Sequence, residues 1–388
     1  MTSTTLLPPR GRLNREQESE DRTEEEVYEL AVSAANGKRL TPEEALALYE
    51  QADLHLLGRA ATKRKAVVKD DRYATYVIDR NVSYTNACNA YCTFCAFYRP
   101  PGDKDVWVWD IDTILKKVDE LVEIGGTQVM LQGGLNPDLR LDYYETVFRA
   151  IKDRHPHVAL HSLTATEVDF LARQEDTSHR AIIEALRKAG WDSLPGGGAE
   201  ILVERVRKKV SPLKNTGQVW QDVHSLCHSL GIRTTATMTY GHMETNAERI
   251  EHLRIVRDMQ DKAIEADTGG SFTAMIPWSM APSGTKLEGR IEVATGQEYL
   301  RTQAICRLFL DNVDNLQAGW LTNGPKLAQL ALDFGANDFG GILMEEQVVS
   351  ATGLKPELSI GEIVSYIEQT GRIAAQRDTY YTHLKVHG

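Results

Sequence analysis

The sequence predicts an α/β chain closed as a (β/α)8 TIM-type barrel, preceded by an N-terminal helical extension. Three observations predict it. From Tyr73 onward, short apolar or β-branched runs alternate with amphipathic segments, the pattern of parallel strands joined by crossover helices. The strand candidates number near eight, which favours a closed barrel over an open sheet. Nearly every candidate is followed at once by glycines or reactive side chains, where a barrel places its active site.

Taken in order, the first stretch, "MTSTTLLPPRGRLNREQESEDRTEEE", is polar and charged and lacks an apolar h-region. Residues 1–23 therefore read as a disordered acidic extension rather than a secretory signal. Residues 24–72 read as a helical segment, with Thr41-Pro42-Glu43-Glu44 as an N-cap, a first-turn Pro and first-turn acids. The barrel takes residues 73–388. Its strand candidates are "YATYVIDR", "TQVMLQ", "VALHSL", "WDSLP", "RTTATMTY", "FTAMIP", "NLQAGW" and "LALDFG". Helix candidates such as "IDTILKKVDELVEIG" and "RAIIEALRKAG" lie between them and end in Gly, a common helix stop. The tail after Lys355, "SIGEIVSYIEQTGRIAAQRDTYY", reads as a closing helix.

Composition narrows the function. The chain has 388 residues, 42% hydrophobic and 26% charged, an ordinary globular make-up. A net charge of -11 gives a nucleic-acid partner no electrostatic support. No apolar run is long enough to span a membrane. Five cysteines, an odd number, make a poor disulfide framework and point to a cytoplasmic enzyme with metal or redox chemistry.

Three of those cysteines, Cys88, Cys92 and Cys95, fall within eight positions of "NACNAYCTFCAFYRP". The stretch has no helical or strand period, so it reads as a loop. Structural zinc takes four ligands, usually in two pairs. The second pair is missing, because Cys227 and Cys306 lie far away in "VHSLCHSLG" and "QAICRLFLDN", amphipathic helices where they read as core thiols. A [4Fe–4S] cluster with three thiolates instead leaves one iron open for a substrate or cofactor. The spacing C-x3-C-x2-C, with Phe94 before the third cysteine, resembles the signature of the radical S-adenosylmethionine (SAM) superfamily. That resemblance implies a [4Fe–4S] cluster on Cys88, Cys92 and Cys95, with SAM on the open iron.

The other loops carry further candidates. Gly133 and Gly134 follow the second strand and permit close backbone approach; they resemble the pair that contacts the SAM amino group. Three glycines precede Glu200 in "GGGAE", and that carboxylate suits a ribose diol of SAM. His242 and Glu244, in "TMTYGHMET", are candidate general bases; a structural role for His242 is the alternative. His161 ends the third strand and raises the same question. Trp278, Gln317 and Trp320 suit either a pocket for a flat, polar substrate or a barrel plug. Asn337 and Asp338 in "GANDFGG" offer polar contacts beside glycines.

Together "NVSYTNACNAYCTFCAFYRP", "LQGGLNPDL", "DSLPGGGAEIL", "TATMTYGHMET", "IPW", "DNVDNLQAGWLT" and "FGANDFGG" resemble the radical SAM enzymes of the futalosine route to menaquinone, from about residue 40 onward. Within them, "IPW", "NLQAGW" and "GANDFG" agree with the branch that cyclises dehypoxanthine futalosine rather than with the aminofutalosine synthase branch. Two features depart from the pattern: the acidic N-terminal extension, and Gln347 where an Asn is expected. The resemblance implies a 5′-deoxyadenosyl radical that takes hydrogen from ribose C4′. The carbon radical then closes on the benzoate ring, and a base removes a proton as an electron leaves. It also implies dehypoxanthine futalosine as substrate and a reduced flavodoxin or ferredoxin-type electron donor. A rival of another class is an iron–sulfur or zinc binding protein without turnover, which predicts a fourth protein ligand near the three cysteines.

Overall fold

The computed structural model describes residues 21–354 and 357–388; most of the predicted disordered extension lies outside the described residues. Its last predicted residue, Thr23, caps the first helix. Thr23 Oγ1 accepts from Glu26 N–H (3.3 Å), and Glu26 Oε2 accepts from Thr23 N–H (2.8 Å). Three helices follow, α1 (Glu24–Ala35), α2 (Pro42–Gln51) and α3 (Leu54–Val68). Thr41 and Glu44 form the expected capping box on α2. These helices pack on the barrel's outer wall, where Arg249 donates to Tyr49 Oη at 2.6 Å and Tyr49 Oη lies 2.7 Å from Thr302 Oγ1.

The described residues form ten strands in three sheets: β1 (Tyr73–Val77), β2 (Asp79–Ser83), β3 (Gln128–Gln132), β4 (Ala159–Leu160), β5 (Thr234–Tyr240), β6 (Phe272–Ser279), β7 (Asn315–Leu316), β8 (Asp338–Gly341), β9 (Ile373–Arg377) and β10 (His383–Val386). β2, β3 and β4 pair in parallel, as do β5, β6 and β7. Single parallel bridges join these arcs: His161 to Ser193, Leu194 to Thr234, Gln317 to Asp338, and Arg80 to Met344. Ser193 and Leu194 thus stand in the fourth strand position, and eight parallel positions close a ring. "WDSLP" contributes only this bridge pair.

The structure corrects two boundaries. "LALDFG" is not the eighth strand, because Pro325–Ala331 is a helix and Gly335 turns the chain at φ +99°. The strand is "DFGG" a few residues on. The tail is also more than a closing helix. After Ile360–Glu368 the chain forms β9, parallel to β1, and β10, antiparallel to β9.

β9 carries a side chain that seals the barrel floor. Arg377 Nε donates to Asp338 Oδ2 at 2.6 Å, and its NH2 to Oδ1 at 3.1 Å, a bidentate pair. Thr75 Oγ1 donates to the same carboxylate at 2.5 Å. Asn337 is equally engaged, accepting from Arg307 NH2 and Leu316 N–H at 2.8 and 2.9 Å. Asn337 and Asp338 therefore enter β8 at its floor end and do not line the mouth. His161 is buried nearby, with Nδ1 2.8 Å from Ser193 Oγ. Burial and the Arg377 charge push its pKa down to about 3, so it stays neutral and is no mouth residue. A cleft of about 400 Å³ lined by Lys152, Arg187, Asp192, Arg233 and Tyr380 lies at the N-terminal ends of the strands, away from the site. Among the described residues no helix is long and apolar enough to cross a membrane.

Candidate active site

The cysteine loop leaves the C-terminal end of β2, and its own backbone holds its shape. Cys88 N–H donates to Arg99 carbonyl (2.9 Å) and Arg99 N–H to Asn86 carbonyl (2.8 Å). The Arg99 guanidinium gathers the carbonyls of Ala96, Phe97 and Tyr98 at 3.0–3.4 Å. Asn86 ties the loop's outer arm through Asp105 carbonyl and Trp107 N–H. Tyr91 takes a left-handed φ of +49°, which lets the chain double back between Cys88 and Cys92. Cys92 is buried, and Cys88 and Cys95 are half-buried. Ala90, Leu135, Phe94 and Phe170 pack around them.

The glycine pair after β3 has a steric reason. A Cβ on Gly134 would lie 2.0 Å from Ala87 carbonyl oxygen and 2.8 Å from Cys88 Cβ; one on Gly133 would lie 2.7 Å from the Tyr84 ring. Their N–H groups are already used: Gly134 donates to Thr85 carbonyl at 3.0 Å, and Gly133 to Glu167 Oε1 at 3.1 Å. Glu167 also accepts from Tyr84 Oη at 2.7 Å. The pair thus seats the cysteine loop against β3, and Glu167 is the buried anchor that sequence reasoning missed. Its signal lay in "TATEV", where a Thr three residues earlier caps the helix.

Glu200 follows the triple glycine with φ +42° and is buried. It is not an open carboxylate. Lys214 Nζ lies 2.8 Å from Oε1 and Arg207 NH1 3.4 Å from Oε2. Burial alone would raise its pKa, but the two cations hold it below the ordinary range. Lys214 Nζ also stands 5.4 Å over the Phe94 ring. Arg207 and Lys214 were not singled out in the sequence, where "RVRKKVSPLK" looks like a solvated cationic face.

This charge arrangement tests whether the site fits an iron–sulfur cluster. Two buried cations share one carboxylate, which leaves an excess positive charge beside Cys92. Without compensation, burial pushes the Cys92 thiol up to about 12 and raises Cys95 as well. Buried charge needs a counter-charge, and thiolates ligating a cluster supply it. Among the described residues no three His, Cys, Asp or Glu side chains converge to hold one metal ion. A four-iron cluster takes its thiolates at separate corners, so the three cysteines of this loop need not converge on one point to hold it. The residues fit the cluster.

His242 and Glu244 are brought together after β5, and neither is free. Glu244 accepts from Gly241 N–H (2.6 Å) and His242 N–H (3.0 Å), and pairs with Arg249 at 2.6 Å. Burial raises its pKa, but the charges of His242 and Arg249 outweigh it and hold the value at about 2. A carboxylate that acidic is a poor base at neutral pH. His242 Nε2 lies 2.9 Å from Thr239 carbonyl oxygen, and Nδ1 lies 3.1 Å from Glu244 Oε2 and 3.0 Å from Met243 N. Both side chains are engaged within their own loop, which is the structural alternative stated for His242.

A stability prediction follows. A folded value of about 2 lies below the ordinary 4.5, so Glu244's contribution is complete above pH 4.5 and is lost as pH falls toward 2. Glu244→Gln is expected to cost about 2–3 kcal/mol at pH 7 and much less at pH 3. Denaturant midpoints of both proteins at the two pH values check this; an equal gap at both contradicts it.

The lumen above the floor is polar. Arg80 points outward to Glu120 at 2.7 Å, so its neighbour Asn81 faces inward. Asn81 Oδ1 is buried without a partner. Asn81 pairs with Met130 in register, which places Gln132 two residues on, on the same face. Trp278 pairs with Thr239 at the mouth end of β5 and β6, and Gln317 lies against Gly340; both are half-buried. Trp320 is instead a wall residue, buried and donating to Gly341 carbonyl at 2.9 Å. Gln347, where the family pattern led to Asn, lies 3.5 Å from Glu345.

A parallel barrel with three cysteines at its first mouth loop defines a radical SAM enzyme, and comparison agrees. The family model "Radical SAM superfamily" matches residues 82–256, and "CofH/MqnC C-terminal region" matches residues 269–387. The chain is 49% identical to cyclic dehypoxanthine futalosine synthase of Streptomyces coelicolor, over 91% of this chain and 88% of that one. It is 38% identical to aminodeoxyfutalosine synthase of Thermus thermophilus, over 92% and 95%. Among solved structures it resembles HydG, a maturase of the [FeFe]-hydrogenase, with TM-score 0.70 and 16% identity over 93% of this chain and 77% of that one. The chain belongs to the radical SAM superfamily.

Proposed function

We propose that the chain is a radical SAM cyclase that converts dehypoxanthine futalosine to cyclic dehypoxanthine futalosine in menaquinone biosynthesis. The observation that carries the radical chemistry is the three-cysteine loop seated by Gly134 over a polar lumen. What supports the cyclase branch is the higher identity to that relative, 49% against 38%, with "IPW", "NLQAGW" and "GANDFG" all present.

Cys88, Cys92 and Cys95 would hold a [4Fe–4S] cluster, and the iron they leave open would take SAM. Bound there, the pair supplies a 5′-deoxyadenosyl radical once an electron arrives from a reduced flavodoxin or ferredoxin-type donor. The protein's own work is positioning and exclusion. Phe94 and Leu135 keep the loop's inner face apolar. Lys214 and Arg207 balance the anionic thiolates. Phe94, Gly133, Gly134 and Glu200 would border SAM. Asn81, with Gln132 and Gln317 on the same lining, offers amides to a hydroxyl-bearing substrate, and Trp278 offers a flat face for its ring.

The test is anaerobic reconstitution followed by assay with dehypoxanthine futalosine and dithionite. The cyclase reading expects free 5′-deoxyadenosine and a product two hydrogens lighter than substrate, one lost as an atom to the adenosyl radical and one as a proton with an electron. No turnover of that substrate, with an adenosyl-bearing adduct formed from an enolpyruvyl benzoate in a parallel assay, would assign the chain to the sister branch. His242 and Glu244 enter this scheme as positioning residues. His242→Asn is expected to keep kcat within about tenfold of wild type, because removal of a general base costs on the order of 10²–10⁴. A larger loss of kcat, with KM unchanged and an altered pH profile, would restore His242 as the base.

A further inference from the structure

The tip of the cysteine loop is stitched to two surface segments. Thr93, between Cys92 and Cys95, donates from N–H (2.8 Å) and Oγ1 (3.0 Å) to the Val210 carbonyl, at the end of the helix Glu204–Val210. Its own carbonyl accepts from Lys286 N–H at 3.0 Å. The first segment exposes Lys208, Lys209, Pro212 and Leu213, and the second exposes Lys286 and Arg290. Leu213 is 59% exposed and is the apolar residue within this basic segment.

Four cations of this face, Lys208, Lys209, Lys286 and Arg290, are exposed, with Lys286 Nζ 5.9 Å over the Tyr98 ring. From Arg205 to Gln221 the chain has five cations and no acid, although the whole molecule carries -11. Arg205, Arg207 and Lys214 are paired with Glu248 and Glu200. Among the described residues Lys208, Lys209, Lys286 and Arg290 have no ion pair. Glu288, the acid between the last two, accepts from Gly284 N–H at 3.0 Å. A basic rim around an apolar residue, on an acidic protein, attracts an acidic surface and gives it an anchor.

We propose that this face docks a small acidic protein that carries one electron at a time. The inference rests on the radical reading above and adds the surface that serves it. The carrier would be oxidised by one electron, delivered beside Cys92 and Cys95, with no bond or proton moved. Thr93 gives the docked face a direct backbone connection to the loop that receives the electron.

The experiment measures binding of an acidic flavodoxin to the reconstituted full chain by calorimetry at low and high salt. It is run on wild type, on Lys208→Glu with Lys209→Glu, and on Lys286→Glu with Arg290→Glu. Each double variant is expected to bind at least about tenfold more weakly and to show a flatter salt dependence. Each is also expected to lose flavodoxin-driven turnover while keeping dithionite-driven turnover. Wild-type affinity in both variants would overturn the proposal, as would equal wild-type binding to anionic lipid vesicles, which would mark a general anion patch. Absence of dithionite-driven turnover in wild type would instead overturn the cyclase reading, and the binding series would still judge the surface.

Discussion

Cys92→Ala is expected to abolish turnover, by on the order of 10³-fold or more, because the group that generates the radical loses a corner ligand. Cys92 is the most enclosed of the three thiols and feels the charges of Lys214 and Glu200. The substitution removes both a ligand and the anion that balances Lys214. Iron and sulfide analysis after anaerobic reconstitution, with the visible absorption of the cluster, separates this from unfolding. The variant should keep its far-ultraviolet circular dichroism, since Ala is small and apolar and the loop is anchored at Arg99 and Asn86. Wild-type iron content together with SAM cleavage would contradict the assignment of Cys92. The same replacement at Cys227, a buried core thiol, should leave iron content unchanged.

Gly134→Ala should have the next largest effect, and for a different reason. The added methyl would stand 2.0 Å from Ala87 carbonyl oxygen and 2.8 Å from Cys88 Cβ. Backbone blocks it, so the cysteine loop must shift away from β3. Overpacking of this kind costs about 1–3 kcal/mol, and a displacement near 1 Å at a reacting centre costs on the order of 10²-fold in rate. The expected result is a lower Tm, a full set of cysteines, and a cluster that assembles slowly or in part. Gly197→Ala serves as the comparison, because its Cβ meets the Thr164 methyl, a side chain, at 2.9 Å. If Gly134→Ala matches wild type in Tm and rate, the seating role fails.

The two halves of the site differ in how far they could be read from sequence. The cysteines were legible because their spacing has few other uses. The glycines were legible as positions, but their cause was not: the atom that forbids a methyl on Gly134 is the Ala87 carbonyl, 47 residues away. Lys214 was hidden because a cation-rich run on a short helix looks the same whether solvated or buried. His242 and Glu244 were placed in the right loop, yet their partners, Thr239 carbonyl and Arg249, decide their chemistry and are set only on folding. Among strands, "LALDFG" misled because a short apolar run fits a buried helix as well as a strand. Pro325 at the helix start was the available discriminator. β9 and β10 went unread because short strands that pair only with distant partners carry little local pattern.

That last pairing bears on how the molecule is made. Tyr73 lies beside Ile373, and Tyr76 beside Gln376, so β1 gains this neighbour only when some three hundred further residues have left the ribosome. Contacts of such long range form late. β1 leads directly into β2, and β2 into the cysteine loop. The nascent chain therefore carries its three thiols on a strand not yet secured at its base until β9 has been made. Loading with iron and sulfide is best timed after β9 has docked, when Arg377 has met Asp338 and the first strand is held along its length.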